Sequence, residues 1–303
     1  MSTEEIHDSK TYQKSGDMDK HLEGVKKQYD TKEKREFYSQ VMGDGTANIH
    51  FGKWDGVDVE AEGAYGRASD NLTDYMFEVA SGLCEKKEGI SYVDLGSGSG
   101  GAAVRLLAAN PSLNATCVNL CPDQNAGALK DAESKGVQDR IKVVTSSYDQ
   151  CPLEGDMFDL AFSQDAYVHS YDKVVSYSEA RRLVKSGGVF ILCDLMCGDG
   201  PDVSDEELAT FAATNMVNDW LTPEKNCEAA RKAGWTDVEF INLTTDIRKS
   251  FQLMKKKVDK IIANGGEGID MSLLTEYSSN LEKRVGHVDK GVFKWGVIHA
   301  KNP

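Results

Sequence analysis

The sequence predicts an α/β fold, in which a mostly parallel sheet is covered by helices on both faces. Apolar runs of strand length alternate with helical patterns from Gly66 onward, and this alternation is typical of a parallel sheet with crossover helices. A glycine-rich turn, residues 94–100, follows the first apolar run. Runs such as Val189-Phe-Ile-Leu-Cys193 are apolar throughout, which indicates strands that are buried on both faces.

The predicted elements follow one another in strand and helix order. A helix over 68–83 is expected first, because its apolar residues share one helical face. Five strands follow at 91–95, 116–120, 141–145, 158–163 and 189–194. The helices that connect them are expected at 100–109, 123–135 and 173–185. The pattern ends with helices at 205–218 and 223–233, a strand at 237–243, amphipathic helices at 248–263 and 272–285, and a last strand at 292–299.

The first 65 residues differ in composition from the rest of the chain. Residues 1–36 are rich in charge and carry a weak helical periodicity, which predicts a helical arm or a partly disordered segment. Residues 37–54 mix aromatic residues with glycines, a composition suited to an ordered, hinged loop that covers a pocket. We therefore expect residues 1–65 to form an arm and an active-site lid. Residues 66–303 are expected to form one catalytic domain with a helical insert at about 246–290.

Length, charge and cysteine content narrow the function. A chain of 303 residues can bury one sizeable core, and its net charge of −14 opposes binding to nucleic acid phosphates. No stretch approaches the roughly 20 apolar residues of a membrane helix, so we expect a cytoplasmic protein without a membrane partner. Four of the seven cysteines lie in apolar sequence typical of strands or strand ends, which favours buried thiols over a metal site or a disulfide. Monomer and homodimer both stay open.

The turn Asp94-Leu-Gly96-Ser97-Gly98-Ser-Gly100 predicts a nucleotide-like ligand. Glycines let the backbone approach a ligand closely, and the following helix N-terminus offers N–H groups. A dinucleotide site also uses a glycine-rich turn, so an NAD-dependent oxidoreductase is an alternative. Asp94 would repel a pyrophosphate but suits the ammonium group of a sulfonium amino acid. This favours the sulfonium donor, although Asp94 also fits a structural N-cap.

Two further positions suit the sugar and base of such a donor. Asn119 ends the second predicted strand, where an amide side chain can donate to and accept from ribose hydroxyls. Ser147 and Tyr148 follow the third strand, where a polar side chain and a backbone N–H can read an adenine edge. Asn119 also fits a plain strand cap, and Ser147 and Tyr148 fit ordinary turn residues.

Longer motifs resemble the sarcosine/dimethylglycine N-methyltransferases of glycine betaine synthesis. They are Phe158-Asp-Leu-Ala-Phe-Ser-Gln-Asp-Ala-Tyr-Val-His-Ser170, Asn119-Leu-Cys-Pro-Asp-Gln-Asn125, Val184-Lys-Ser-Gly-Gly188, Ile49-His-Phe-Gly52 and Phe293-Lys-Trp-Gly296. The resemblance covers about residues 29–300. It implies a Rossmann-like class I methyltransferase with a seven-stranded mixed sheet in the order 3-2-1-4-5-7-6. Besides Asp94, which its charge already suggests, the resemblance implies that S-adenosylmethionine is held by Gly96, Ser97, Gly98, Asn119, Leu120, Gln124, Ser147, Tyr148 and Gln164.

The segment from Ser163 to His169 is also similar to the phosphoethanolamine N-methyltransferases. Those enzymes have an aspartate, a histidine four residues later, and a tyrosine from the N-terminal arm that closes over the site. This similarity implies that Asp165 faces the substrate amine, that His169 is the acid/base or orienting group, and that Tyr29 is the lid partner. Asp165 as a turn N-cap and His169 as a packed helix-entry residue are the structural alternatives.

The acceptor site is harder to place from the sequence. A secondary amine must lose a proton, for which a histidine is a suitable base, whereas a tertiary amine or a thioether has none to lose. Aromatic faces commonly hold onium products, and Tyr167, Trp220, Phe51 and Trp295 are candidates. A guanidinium is the natural partner of a substrate carboxylate, and Arg67 is the first choice among scattered arginines.

The sequence thus predicts methyl transfer from S-adenosylmethionine to a small carboxylate-bearing acceptor. The leading acceptor is sarcosine or N,N-dimethylglycine, on the route to glycine betaine. The alternative is S-methylation of a methylthio-hydroxy acid such as 4-methylthio-2-hydroxybutyrate, on the route to dimethylsulfoniopropionate. An oxidoreductase and a catalytically inert binding protein are more distant alternatives. No metal is expected.

Overall fold

The computed structural model describes residues 17–29, 41–42, 48–200, 204–266 and 269–303. These residues form nine α-helices and a single sheet of seven strands. Gly43 and Gly45 of the predicted lid lie outside the described residues, as do residues 1–16 of the predicted arm. Within the described part of the chain, no helix is both long and apolar enough to span a bilayer.

The strands and helices alternate along the chain. The strands are β1 (Ser91–Leu95), β2 (Asn114–Asn119), β3 (Ile141–Thr145), β4 (Phe158–Gln164), β5 (Val184–Cys197), β6 (Thr236–Asn242) and β7 (Phe293–Lys301). The helices are α1 (Met18–Tyr29), α2 (Ala64–Leu83), α3 (Gly101–Ala109), α4 (Pro122–Ser134), α5 (Lys173–Leu183), α6 (Asp205–Thr214), α7 (Pro223–Lys232), α8 (Thr244–Ala263) and α9 (Met271–Lys290).

The sheet has the order β3-β2-β1-β4-β5-β7-β6, which confirms the predicted order. Strands β1 to β5 pair in parallel, and β7 runs antiparallel to both β5 and β6. The strand order reverses between β1 and β4. In an open α/β sheet, ligands bind beyond the carboxyl ends of the strands at such a switch point. We therefore expect the ligand site at the loops after β1 and β4.

The core lies on both faces of the sheet. Successive residues of one strand point to opposite faces, and Phe190 and Leu192 accordingly join one hydrophobic cluster while Ile191 and Cys193 join the other. This is the burial that the apolar run of β5 predicts. All seven cysteines are free and buried, as expected from their apolar surroundings.

Strand β5 is longer than the apolar run that predicts it. Val184 pairs with Phe158 at one end, and Cys197 pairs with Phe293 of β7 at the other. The polar and glycine residues at 185–188 therefore continue the strand, because backbone pairing with neighbours does not require apolar side chains. The bounds of β1 and β3 agree with the sequence prediction.

Helix α9 has clear sequence signals at both ends. The Asp270 carboxylate accepts hydrogen bonds from the backbone N–H groups of Ser272 (2.7 Å) and Leu273 (3.2 Å), as an N-cap does. Gly291 ends the helix in the left-handed region, with a φ of 74°. The chain then turns directly into β7. Helices α8 and α9 pack against each other and span the range, about 246–290, in which the sequence predicts a helical insert.

Candidate active site

A cavity of about 320 Å³ opens at the carboxyl ends of β1, β2, β4 and β5. Its wall on the sheet side comes from the loops after β1 and β4. Residues of α1 and of the insert helices α8 and α9 line it as well, including Leu22, Phe251 and Tyr277. The cavity is therefore enclosed by segments from both ends of the chain, around the switch point of the sheet.

The turn between β1 and α3 depends on three glycines with positive φ, at Gly96 (84°), Gly98 (52°) and Gly100 (73°). A side chain at Gly96 would place its Cβ 2.4 Å from the Cβ of Ala166. A Cβ at Gly98 would meet no atom within 4 Å, so this glycine borders open space in the cavity. No side chain from the described part of the chain caps α3, so the N-terminus of this helix suits a ligand with negative or polar groups.

Asp94 lies at the end of β1, buried to 3% exposure, and does not itself line the cavity. Burial raises the pKa of its carboxyl to about 7, and the nearby His50 opposes this shift. A cationic group bound near the turn would lower the pKa again, since an opposite charge favours the ionised form. Asp94 is thus placed to act on a ligand through its charge or through a bridging group, not through direct contact.

Asn119 lines the cavity at the end of β2 and is held by its own amide. Its Nδ2 donates to Gln124 Oε1 and Asn125 Oδ1, each at 3.1 Å, and to the Gly98 carbonyl at 3.3 Å. These bonds tie β2, α4 and the glycine turn together. The Asn119 carbonyl oxygen Oδ1 receives no hydrogen bond from the described residues. It is the group of this side chain left to accept a ligand hydroxyl.

Gln164, the last residue of β4, presents an unsatisfied donor. Its Oε1 accepts from the Thr73 hydroxyl at 3.0 Å, while its buried Nε2 has no partner among the described residues. A buried donor without a partner costs about 1–3 kcal/mol, which a ligand acceptor would recover. Gln164 lines the cavity beside Asp165.

Asp165 begins the loop after β4 in a left-handed conformation, with a φ of 52°. Trp295 Nε1 donates to Oδ1 at 3.0 Å, and the Phe51 backbone N–H donates to Oδ2 at 3.3 Å. His50 Nδ1 lies 3.4 Å from Oδ2. Left-handed backbone at a non-glycine residue is sustained by its surroundings and is concentrated at functional sites. The carboxylate is therefore fixed in place at the cavity wall.

His169 is held through both ring nitrogens. Nδ1 lies 3.0 Å from the Met216 carbonyl oxygen, which can only accept, so Nδ1 carries the proton. In a neutral ring, Nε2 then accepts from the Tyr29 hydroxyl at 2.7 Å. Burial lowers the pKa of His169 to about 4, so the ring is neutral at pH 7. The α1 residue His21 also donates from Nε2 to the His169 carbonyl oxygen at 2.9 Å.

The structure brings eleven of the predicted site residues together around this cavity. They come from α1, from the turn after β1, from the β2 and β3 ends and from the loop after β4. They are Tyr29, Gly96, Ser97, Gly98, Asn119, Leu120, Gln124, Tyr148, Gln164, Asp165 and His169.

Three predicted substrate contacts have side chains outside the cavity lining, and the structure does not bring them together with Asp165 and His169. Tyr167 stacks on Tyr148 at 4.9 Å within the core, since residues of one 3-10 turn point in different directions. Trp220 is fully buried and donates to the Leu195 carbonyl at 3.3 Å. Arg67 is exposed and donates to the Glu62 carbonyl at 2.7 Å.

Ser147, predicted at the adenine edge, also lies outside the cavity lining. Its hydroxyl accepts from the backbone N–H of Asp149 at 3.1 Å, which is the turn role that the sequence left as its alternative. Its neighbour Tyr148 does line the cavity, and its hydroxyl donates to the Ala166 carbonyl at 2.9 Å.

Two solved structures share this fold. A Galdieria sulphuraria protein, provisionally described as a sarcosine dimethylglycine methyltransferase, has a TM-score of 0.77 at 23% identity, over 88% of this chain and 97% of that one. Haemonchus contortus phosphoethanolamine N-methyltransferase 2, solved with S-adenosyl-L-methionine, has a TM-score of 0.75 at 19% identity, over 92% of this chain and 60% of that one. At these identities the likeness shows the fold.

Sequence comparison gives the class of reaction. Residues 93–192 match the model of a methyltransferase domain. Over 283 residues, 90% of this chain and 97% of the relative, the sequence is 24% identical to the sarcosine/dimethylglycine N-methyltransferase of Aphanothece halophytica. The protein is an S-adenosylmethionine-dependent methyltransferase. The predicted resemblance to the sarcosine/dimethylglycine enzymes is confirmed along nearly the whole chain.

Four charged or titratable residues of this methyltransferase cavity were not singled out by the sequence prediction. Lys26, His50, Asp194 and Arg284 all line it. Asp194 had a usable signal, because an acid ends the otherwise apolar run of β5. Lys26 and Arg284 had none, since many lysines and arginines lie on amphipathic helices. Only the packing of α1 and α9 over the sheet brings these two cations to the site.

Proposed function

We propose that this methyltransferase acts on the nitrogen of sarcosine or N,N-dimethylglycine. The observation that carries the proposal is the loop after β4, which places a fixed carboxylate, Asp165, and a neutral histidine, His169, on the wall of the donor cavity. An anion suits an amine substrate and its onium product, and a neutral histidine can accept a proton. The relatives named for sarcosine and dimethylglycine support the same acceptor.

The donor half of the site would be formed by the turn after β1 and the end of β2. Gly96, Ser97, Gly98 and the α3 N-terminus would hold the amino-acid part of S-adenosylmethionine, with the charge of Asp94 beneath them. The Asn119 amide would accept from the ribose, and the Gln164 Nε2 would find its missing acceptor in the donor. When bound there, S-adenosylmethionine supplies an electrophilic methyl group. We propose no metal in the site.

The acceptor half would use Asp165, whose position is fixed by bonds to both of its oxygens. The acceptor nitrogen forms the new N–CH3 bond with its lone pair as the S–CH3 bond breaks, and the electron pair of that bond stays on sulfur. Displacement requires a collinear approach, and orientation of this kind can contribute roughly 7–11 kcal/mol. Phe51, T-shaped on Phe251 at 5.3 Å, lines the cavity as an aromatic face for a methylated cation.

The proton released by sarcosine would pass through His169, and the lowered pKa of the ring means that it would carry the proton only transiently. Because Nδ1–H is committed to the Met216 carbonyl, the lone pair of Nε2 is the basic position of the ring. Tyr29 already bonds to this nitrogen, so the proton can arrive through the tyrosine hydroxyl, which donates its own proton as it accepts another. With tertiary N,N-dimethylglycine as a free amine, His169 and Tyr29 would orient the acceptor.

The test is transfer from labelled S-adenosylmethionine to a panel of acceptors. The panel holds sarcosine, N,N-dimethylglycine, phosphoethanolamine and 4-methylthio-2-hydroxybutyrate. We expect methylation of the first two, with kcat/KM for phosphoethanolamine and the thioether acid lower by on the order of 100-fold or more. Asp165→Asn should lower kcat/KM for the amines while keeping S-adenosylhomocysteine affinity. Preferred transfer to the thioether acid would overturn the nitrogen acceptor and leave the methyltransferase assignment intact.

A further inference from the structure

Arg284, on helix α9, lines the same cavity as Asp165 and His169. Its guanidinium donates from one Nη to Asn215 Oδ1 at 2.7 Å. The guanidinium carbon lies 5.9 Å from the ring centre of Phe211 and 5.6 Å from that of Phe251. An amide and two aromatic rings thus hold the planar group in one orientation, and most of its five N–H donors are left to other partners.

Arg284 has no acidic partner among the described residues. Three other arginines form ion pairs, Arg105 with Asp70 and Asp74, Arg182 with Glu179, and Arg248 with Asp289. Of the arginines without an ion pair among the described residues, Arg67, Arg140 and Arg231 donate to backbone carbonyls, whereas Arg284 lines the cavity. The chain has 49 acidic residues against 35 basic ones, so carboxylates are abundant. A preorganised guanidinium that lines a cavity and is not itself ion-paired is suited to an anion supplied by a ligand.

The connection between Arg284 and the proposed reaction centre is short. Asn215 holds Arg284, and the next residue, Met216, accepts from His169 Nδ1 at 3.0 Å. Two consecutive residues therefore set the positions of the cation on α9 and of the histidine after β4. A second link runs through Phe251, which lies under the Arg284 guanidinium at 5.6 Å and contacts Phe51, whose backbone N–H donates to Asp165. An acceptor with its amine at Asp165 would therefore place its other end toward α8 and α9.

We propose that Arg284 binds the carboxylate of the acceptor and so selects carboxylate-bearing amines. This rests on the proposed function, which supplies a carboxylate-bearing acceptor. Guanidinium and carboxylate match in a bidentate geometry, and the aromatic walls reduce competition from water. Lys26 of α1 also lines the cavity, but its ammonium is a flexible point charge without a comparable planar fit. It is the competing assignment in the test.

The experiment compares two acceptors that differ only in charge, N,N-dimethylglycine and its neutral amide. In Arg284→Met we expect KM for N,N-dimethylglycine to rise by on the order of 100-fold, because a paired, partly buried charge is lost. KM for the amide should change by less than about 3-fold, as it has no carboxylate to lose. The KM of Arg284→Lys for N,N-dimethylglycine should lie between those of the wild type and Arg284→Met. Arg248→Met, on neighbouring α8 but outside the cavity, is the matched control and should behave as wild type.

Calorimetry with S-adenosylhomocysteine on every variant confirms that the donor site is intact. An equal rise in KM for N,N-dimethylglycine and for its amide in Arg284→Met would mean that Arg284 only supports the fold, and would overturn the proposal. The variant Lys26→Met is measured in the same way. A rise in KM for N,N-dimethylglycine in Lys26→Met but not in Arg284→Met would assign the carboxylate to α1 instead. If the wild type methylates neither sarcosine nor N,N-dimethylglycine, the proposed function fails. Binding of 4-methylthio-2-hydroxybutyrate to the S-adenosylhomocysteine complex then tests Arg284, and equal binding to wild type and Arg284→Met overturns its role.

Discussion

At the scale of single residues, the protonation state of His169 follows from its neighbours. A carbonyl on one side of the ring requires a proton on Nδ1, and the hydroxyl of Tyr29 on the other side faces a lone pair. Burial keeps the ring neutral at physiological pH. The Tyr29 hydroxyl is thus bonded to the one ring position that can take up a proton.

Tyr29→Phe removes that hydroxyl and leaves the ring in place. We expect kcat with sarcosine to fall by roughly 100-fold, the lower end of typical general acid–base contributions, with S-adenosylhomocysteine affinity unchanged. Steady-state kinetics and calorimetry measure the two effects. The matched control is Tyr171→Phe. Tyr171 packs on His21, which lies on the same helix, α1, as Tyr29. Wild-type turnover in Tyr29→Phe would remove Tyr29 from the reaction.

Asp194 offers a test of charge in the cavity. Burial raises the pKa of this carboxyl to about 7, and its Oδ2 has no hydrogen-bond partner among the described residues. At pH 6 it is mostly protonated, and a bound cation lowers its pKa, so binding of glycine betaine to the S-adenosylhomocysteine complex should release a proton. At pH 8 the group is already mostly ionised and release should be smaller.

Calorimetry in two buffers of different ionisation enthalpy measures this proton release. Asp194→Asn should reduce it at pH 6 while preserving the shape of the side chain. Glycine betaine is suited to the measurement because its nitrogen has no proton to lose. Undiminished release from the variant would assign the proton to another group.

At the scale of elements, the strands were the easiest part to predict. The bounds of β1 and β3 follow from apolar runs between turn residues, and the glycines after β1 identify the turn that borders the cavity. Arg67 lies outside the cavity lining, and the sequence could not show this because the register of a helix does not tell which of its polar residues face a distant cavity. Arg284 could not be found at all, since its place depends on how α9 packs over the sheet.

The glycine turn provides a pair of substitutions with opposite consequences. Gly98→Ala directs a methyl group into open cavity space, so we expect S-adenosylhomocysteine affinity to fall more than about 10-fold while the fold loses only about 1–2 kcal/mol of left-handed strain. Gly100→Ala would bring Cβ to 2.6 Å from the Cβ of Ala128, between α3 and α4. It should lower the thermal midpoint more than Gly98→Ala does. The reverse ranking in calorimetry and thermal unfolding would contradict this account of the turn.

At the scale of the whole molecule, the donor half of the site comes from the sheet while much of the acceptor half comes from α1 and the insert. The order of the sheet was predictable because it follows from the family pattern. The closure of the cavity by Tyr29, Lys26 and Arg284 depends on long-range packing that no local pattern encodes.

Removal of residues 1–29 tests whether α1 contributes to the acceptor half of the site and not to the folding of the sheet. The sheet and its two core clusters lie outside this segment, apart from contacts with α1 residues at the cavity. We expect cooperative unfolding with stabilisation by S-adenosylhomocysteine, but a kcat lower by on the order of 100-fold because Tyr29 and His21 are lost. Loss of cooperative unfolding would instead make the arm part of the folding core.

The hydrogen bond from Trp295 to Asp165 also provides an optical signal. The indole is fully buried, and its N–H points at the carboxylate proposed to meet the acceptor. Indole emission responds to the charge and hydrogen bonding around the ring, so a cation arriving at Asp165 should alter the fluorescence of Trp295. Acceptor binding could then be followed in a stopped-flow instrument without a label, and the order in which donor and acceptor enter could be read from unmodified protein.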